Sequence, residues 1–351
     1  MSGDSFGKIF VLTTFGESHG PGLGGVVQGC PSGVPLTEEF IQTYLDKRKP
    51  GQGTSSTKRK EPDRVKLLSG VFEGRTTGTA IGFFIANQDA RSKDYSHLKE
   101  IYRPGHADFS YEKKYGFRDY RGGGRSSGRE TVSRVVGGSI ARAFLNTLNI
   151  QVKAYTLELG GIRAQKLNLT NLENRPFFAA DPEVIPLWEE KIKQVKVQGD
   201  TLGGIVEIRA YNVPAGLGEP VFDKLDARLA YALMGVGAVK GVEIGSGFEA
   251  AQKLGSENND ILTPDGFITN NAGGILGGVS SGQDIVARVA VKPIPSLAKK
   301  QKTINREAKE VEFSTGGRHD ICAIPRIVPV LEAMVLLVLA DFVLLQRRFK
   351  A

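Results

Sequence analysis

The sequence predicts an α+β fold, and three observations carry that reading. Strand-like and helix-like segments do not alternate regularly, as a doubly wound parallel sheet would require. The strand candidates are short and set off by turns of small residues. Nothing resembling a linker divides the 351 residues. At ~150 residues per domain the length would allow about two domains, but the missing linker favours one body spanning 1–351.

Lys8–Thr14 reads as a first strand and Gly24–Gln28 as a second. Thr37 is placed to cap a helix running to Arg48, with Phe40, Ile41, Tyr44 and Leu45 at helical spacing. Lys47–Lys66 is rich in Gly, Ser, Thr and charge, and is expected to be a mobile basic loop. Strands are predicted around Lys66–Phe72 and Thr79–Ala86. Ser127-Gly128-Arg129-Glu130 has the form of a capping box. It would open a helix with the stripe Val132, Val135, Val136, Ile140, Phe144 and Leu148. A further helix is predicted over Phe222–Met234, and a second basic loop near 295–312.

Ile327–Leu345 is almost continuously apolar, broken by Pro329, Glu332 and Asp341. A carboxylate at mid-bilayer costs ~2.5–3.5 kcal/mol, so a buried core helix is the better reading. Gly74–Ile81 resembles Gly278–Ile285, and both run into an apolar strand. Small residues in hairpin turns would produce the same likeness, so repeat and coincidence stand level at this point.

Hydrophobic residues make up 40% and charged residues 24%, which excludes global disorder. Two cysteines, Cys30 and Cys322, give neither a disulfide framework nor a zinc pattern. With no signal-peptide layout at the polar N-terminus, a soluble cytoplasmic protein is expected. Forty-six Lys and Arg against 38 Asp and Glu leave a net charge of +8. That excess needs an anionic partner or a reason to be absent from one.

Three familiar patterns fail on context. Gly20-Pro21-Gly22-Leu23-Gly24-Gly25 fits a dinucleotide fingerprint, but Val26-Val27 looks like strand where a helix must start. Gly16-Glu17-Ser18-His19-Gly20 fits a nucleophile elbow, yet no sheet has been built by residue 18. His106/Asp108 and His319/Asp320 form two His/Asp pairs without a third His or a Cys, a poor metal set, so no metal is expected.

The basic residues are clustered. One group lies in Lys47–Lys66, one in Lys292–Lys309 with Arg318 beyond it, and one surrounds Gly122-Gly123-Gly124. For Lys58–Lys60 a solvated face suffices as explanation. The glycine run is different, because exposed backbone N–H groups flanked by Arg121, Arg125, Arg129 and Arg134 form an anion site. No RRM, KH or helix-turn-helix pattern accompanies the charge. A small phosphorylated molecule therefore explains it better than nucleic acid. Of the four histidines, His19, His106 and His319 sit in glycine-flanked loops. With an ordinary pKa near 6.5, His19 and His106 are candidate proton donors at neutral pH; His97 reads as surface.

These stretches resemble the signatures of the chorismate synthase family. They are Thr13–Gly20, Arg103–Asp108, Asp119–Thr131, Val213–Pro220, Val239–Gly245, Gly273–Gly278 and Gly317–Asp320, in the family's order along nearly the whole chain. The resemblance implies elimination of phosphate and a ring hydrogen from 5-enolpyruvylshikimate 3-phosphate to give chorismate, with reduced FMN. It implies a compact sandwich, internally duplicated, with a helical layer between two antiparallel sheets, assembled as a homotetramer. FMN would arrive already reduced, with NADPH as an indirect reductant. A small anionic substrate is implied, and neither nucleic acid nor membrane.

By similarity, His19, His106 and Asp320 are catalytic: His19 as acid at the departing phosphate, His106 beside the flavin, Asp320 assisting proton removal. Ser18, Arg48, Arg129 and Arg134 would bind substrate. Arg125, Ser126, Ser127, Gly237, Ala238, Gly277, Lys292, Pro293, Ile294, Pro295, Ser296 and Arg318 would contact FMN. Relatives carry Arg or Lys near position 54 and Asn at 237, where this chain has Thr54 and Gly237. Lys58 or Arg59 would then reach the substrate, and backbone contacts would serve FMN at 237. An FMN-binding reductase or carrier without elimination chemistry is the alternative.

Overall fold

The computed structural model of the chain describes residues 3–49, 62–88, 98–314 and 320–349. In chain order, β1 (Ser5–Phe6), β2 (Val11–Gly16) and β3 (Gly22–Gln28) precede α1 (Glu38–Arg48). β4 (Val65–Leu67), β5 (Val71–Phe72), β6 (Arg75–Thr76) and β7 (Ile81–Ala86) follow, then α2 (Asp108–Tyr115) and α3 (Thr131–Asn146). β8 (Gln151–Leu159), β9 (Ile162–Arg163), α4 (Ile185–Val197), β10 (Gly204–Tyr211), α5 (Leu225–Met234) and β11 (Val239–Ile244) come next. α6 (Gly255–Asn258), β12 (Leu262–Thr263), β13 (Gly266–Phe267), β14 (Ile275–Leu276), β15 (Val279–Ser280) and β16 (Ile285–Val291) lead to β17 (Gln301–Ile304), β18 (Glu310–Phe313) and α7 (Ile324–Gln346).

Two five-stranded antiparallel sheets dominate. Their orders are β1-β2-β3-β7-β4 and β11-β16-β10-β8-β9. α3 packs on β2 and β3, α7 packs on β8 and β10, and the two helices pack on each other. Both are buried on nearly every side, as helices enclosed by protein must be. Small residues set the spacing: a Cβ added at Gly138 would come within 2.3 Å of the Ala333 Cβ. The mixed α+β expectation therefore holds, with antiparallel sheets.

α7 is long and apolar enough to cross a membrane, but 89% of its most apolar stretch is buried in the protein. Its two carboxylates are both used. Asp341 accepts the backbone N–H groups of Lys8, Ile9 and Phe10 at 2.6–3.0 Å. Glu332 pairs with Arg142 of α3.

Several boundaries move. The first strand begins at Val11, because the 8–10 segment spends its N–H groups on Asp341. Thr37 caps α1 as expected, its Oγ1 accepting from the Phe40 N–H at 3.2 Å. Ser127 makes only half of the anticipated box. Its Oγ accepts from the Arg129 N–H at 3.2 Å, the chain makes a short 3₁₀ turn, and Glu130 turns to Arg134 instead. α5 starts at Leu225, leaving Phe222 90% exposed, and Leu148 lies beyond α3. Lys66–Phe72 is broken by a turn at Gly70 (φ 83°).

The two expected loops are also revised. Lys47 and Arg48 belong to α1 and Val65–Lys66 to β4, while 50–61, with Thr54, Lys58 and Arg59, lies outside the described residues. The stretch 295–312 holds most of a hairpin instead, β17 paired with β18 from Gln301↔Phe313 to Ile304↔Glu310. Its alternating polar residues are half-exposed, so hydrophobic patterning gave no strand signal.

Candidate active site

Ser18 and His19 occupy the turn between β2 and β3. A strand follows that turn, so neither the dinucleotide reading nor the elbow reading has the helix it needs. Gly122 closes over the pair. A Cβ there would lie 2.5 Å from the His19 ring and 3.4 Å from the Ser18 Oγ, so only glycine permits this approach. Ser18 is 5% exposed, and its Oγ has no hydrogen-bond partner among the described residues. A buried hydroxyl left unpaired costs ~1–3 kcal/mol, which a ligand oxygen would offset.

Behind the turn lies a cluster of guanidinium groups. Arg48 is 1% exposed at the end of α1. Its Nη1 meets Asp63 Oδ2 at 3.0 Å, its Nε donates to Thr131 Oγ1 at 3.0 Å, and its Nη2 to the Gly128 carbonyl at 3.0 Å. Arg129 grips the other Asp63 oxygen and donates from Nε to Asn87 Oδ1 at 3.0 Å. Burial pulls the Arg48 pKa down to about 9. Arg326 and Arg129 also lower it, and Asp63 and Glu130 oppose them. Arg48 remains a cation at neutral pH, so two buried guanidinium groups converge on the single carboxylate of Asp63. Asp320 is 7% exposed and holds Arg326 Nη1 at 2.6 Å.

A second cluster forms around His106. Its Nδ1 lies 3.0 Å from the Pro104 carbonyl and its Nε2 3.1 Å from Ser296 Oγ. Lys292 Nζ donates to the Gly105 carbonyl at 3.3 Å, and its backbone N–H to the Ala238 carbonyl at 2.9 Å. Pro295 lies against Gly105, and Thr201 Oγ1 donates to the Ile294 carbonyl at 2.7 Å. Of the expected FMN positions, Ser296 meets His106 itself, Lys292 and Pro295 meet its neighbour Gly105, and Ala238 joins through the Lys292 backbone, with Gly237 and Pro293 adjacent in sequence. Burial first, then Arg103, lowers the His106 pKa, against the Pro104 carbonyl and Asp108; Lys292 lowers it further. Burial thus favours the uncharged imidazole of His106, which hydrogen-bonds the Pro104 carbonyl and Ser296. Asp108 is occupied by Arg103 at 2.7 Å and Arg118 at 3.2 Å, and among the described residues no cluster could hold a metal.

A cavity of about 760 Å³ reaches Glu17 next to Ser18 and Ala107 next to His106, while Ser18, Arg48, Arg129, His106 and Lys292 themselves do not line it. Gly122, Gly123, Gly124, Arg125, Ser126 and Arg134 line one side, Ala107 and Asp108 another, Ala232 and Gly235 a third. That volume lies within the usual range for cofactor sites, ~300–1,000 Å³. Arg125 reaches back to Thr14 Oγ1 at 2.6 Å and Asp4 Oδ1 at 2.9 Å, pinning the glycine run to β2. Ser126 Oγ closes on the Gly123 carbonyl at 2.6 Å. Gly277 turns the β14–β15 hairpin, and its neighbour Gly278 accepts from the Leu225 N–H. No hydrogen bond joins Gly277 to the Lys292 group among the described residues. Arg318 and His319 lie outside them.

Residues 10–344 match the family model described as chorismate synthase. The chain belongs to the chorismate synthase family. It is 66% identical over 348 residues to the chorismate synthase of Maridesulfovibrio salexigens, covering 99% of both chains. It is 63% identical over 351 residues to that of Nitratidesulfovibrio vulgaris, again covering 99% of each. A crystal structure of a chorismate synthase superposes with a TM-score of 0.76 at 32% identity, over 97% of this chain and 92% of that one. Chorismate synthases are lyases of aromatic biosynthesis, and the enzyme class expected from the sequence stands.

Asp63, Asn87, Thr131 and Arg326 were missed by sequence reading. Each serves another side chain, and none carries a motif of its own. Asp63 alone left a trace, as an acid within a strongly basic stretch.

Proposed function

We propose that this chain eliminates phosphate from 5-enolpyruvylshikimate 3-phosphate to form chorismate, at the site where Arg48, Arg129 and Ser18 converge. The observation that carries the reading is the buried guanidinium pair of Arg48 and Arg129 on Asp63, beside a buried Ser18 hydroxyl with no hydrogen-bond partner among the described residues. The substrate brings a phosphate and two carboxylates, which bidentate arginines recognise. The carbon–oxygen bond to phosphate breaks and the phosphate leaves with the electron pair. A ring hydrogen leaves as a proton, and a new double bond joins the ring. His19, against Gly122, is placed to protonate the departing phosphate. Asp320, held by Arg326, would take up the ring proton's charge.

The cavity would take FMN by its volume and its glycine-lined wall, where Arg125 and Arg134 are balanced by Asp4 and Glu130. When bound and reduced, FMN supplies electron density that eases departure of the phosphate. Arg125, Ser126 and Ser127 would hold it from the glycine side, and Gly237, Ala238 and the 292–296 segment from the other, with Gly277 and Arg318 completing the set and Arg134 on the substrate. His106 would offer a neutral hydrogen bond to the flavin. Anaerobic incubation with reduced FMN should release equal amounts of phosphate and chorismate. Absence of both with reduced FMN would refute the reading.

The duplicated sandwich is part of the same proposal. The order β2, β3, α1, β4, β7, α3 is repeated as β8, β10, α5, β11, β16, α7, and the strand orders correspond. Thr76 Oγ1 donates to the Pro31 carbonyl and accepts from the Val34 N–H; Ser280 Oγ donates to the Pro214 carbonyl and accepts from the Leu217 N–H. Matched bonds at equal spacing favour repeat over coincidence. The reading extends to one body over 1–351, a cytoplasmic homotetramer, and FMN reduced elsewhere at the expense of NADPH.

A further inference from the structure

The geometry points to Asn87 as a positioning residue for the elimination, locking the Ser18–His19 turn in register with Arg129. This rests on the reading of Ser18, His19 and Arg129 as site groups. Asn87 follows immediately on β7, whose last residue Ala86 is paired with Gly22 of β3. Its Nδ2 donates to the Glu17 carbonyl at 2.9 Å and the Gly20 carbonyl at 2.8 Å, with the Ser18 carbonyl at 3.4 Å. Its Oδ1 accepts from Arg129 Nε at 3.0 Å, and its backbone N–H donates to the Pro21 carbonyl at 3.0 Å.

The chemistry demands an amide. Carbonyls converging from one turn need a donor carrying two hydrogens, and the guanidinium on the other side needs an acceptor. A primary amide presents both from one rigid plane. Its orientation is decided by these partners, since the flipped amide would set an oxygen against the carbonyls and hydrogens against Arg129. The stem is short and rooted at the end of a paired strand, so the turn and the guanidinium share one reference point. A displacement of ~1 Å between an acid and the group it protonates can cost ~10²-fold in rate. Asn87 touches neither substrate nor cofactor in this account, and acts through its neighbours.

Two variants separate this role from folding. Asn87→Ala removes both functions and should lower kcat by ~10–10² while raising the substrate KM through Arg129. Asn87→Asp keeps the acceptor for Arg129 but sets a carboxylate against the turn carbonyls. It should lower kcat with KM within about threefold of wild type. Its turnover relative to wild type at the same pH should recover towards acid, because a protonated carboxyl regains one donor. Wild-type kinetics for both variants would overturn the proposal, as would a loss for Asn87→Asp that runs parallel to wild type at every pH. Arg129→Lys measured alongside distinguishes the failures. Impaired Arg129→Lys with silent Asn87 variants would refute the role of Asn87 alone. Silence of all three would refute the site reading and this inference together.

Discussion

Arg48 and Arg129 grip opposite oxygens of one buried carboxylate, Asp63. Arg48 comes from the last turn of α1 and Arg129 from the turn preceding α3, so Asp63 adds to the bonds that Arg48 makes to Thr131 and Gly128 in joining the two. Each guanidinium keeps a second anchor, Thr131 for Arg48 and Asn87 for Arg129. Their planes are thus fixed before substrate arrives, and less entropy is lost when it binds.

Removing that carboxylate should cost both stability and affinity. Asp63→Asn leaves two buried cations facing a neutral amide. Breaking a buried ion pair from one side typically costs ~3–5 kcal/mol. The urea midpoint should fall and the substrate KM should rise. An unchanged midpoint would show that the guanidinium groups do not depend on Asp63.

His106 makes stability depend on pH in a definite direction. Burial and Arg103 hold its folded pKa below the ordinary 6.5. Below about pH 6.5 the unfolded chain therefore binds a proton that the native chain does not. Stability falls as pH drops from about 6.5 to the folded pKa, and the penalty is absent above 6.5. His106→Gln should flatten that slope in denaturant titrations taken between pH 7 and pH 5. A slope as steep as wild type would place the acid sensitivity elsewhere.

Lys292 links the flavin segment to the His106 turn through the Gly105 carbonyl. Lys292→Met should weaken FMN binding roughly tenfold, ~1.4 kcal/mol, read by flavin fluorescence. The thermal midpoint of the FMN-free protein should not move, because the ammonium group is exposed. Unchanged FMN affinity would remove Lys292 from the cofactor set.

Much of this molecule is legible where local chemistry and burial agree. α1 announces itself through Thr37 and its spacing, and α7 through a long apolar run that carries Glu332 and Asp341 and is buried in the protein. Arg48, Arg129, His19 and His106 stand out because cations and imidazoles beside glycines are unusual. The β17–β18 hairpin was hidden because its strands are short, polar and half-exposed. Asp63 and Asn87 were hidden for another reason. Their partners lie far away in sequence, and only the paired strands β3 and β7 and the close of α1 bring them there. The likeness between Gly74–Ile81 and Gly278–Ile285 was visible in the sequence, and the matching bonds of Thr76 and Ser280 support the proposed repeat.

The central claim is an elimination with no net change of oxidation state, and the ratio of chorismate formed to reductant consumed tests it most directly. Under anaerobic turnover with FMN reduced once at the start, many chorismate molecules should form per electron pair supplied, each with one phosphate. A ratio of one, or flavin oxidation without phosphate release, would contradict the account and leave a flavin-binding reductase in its place.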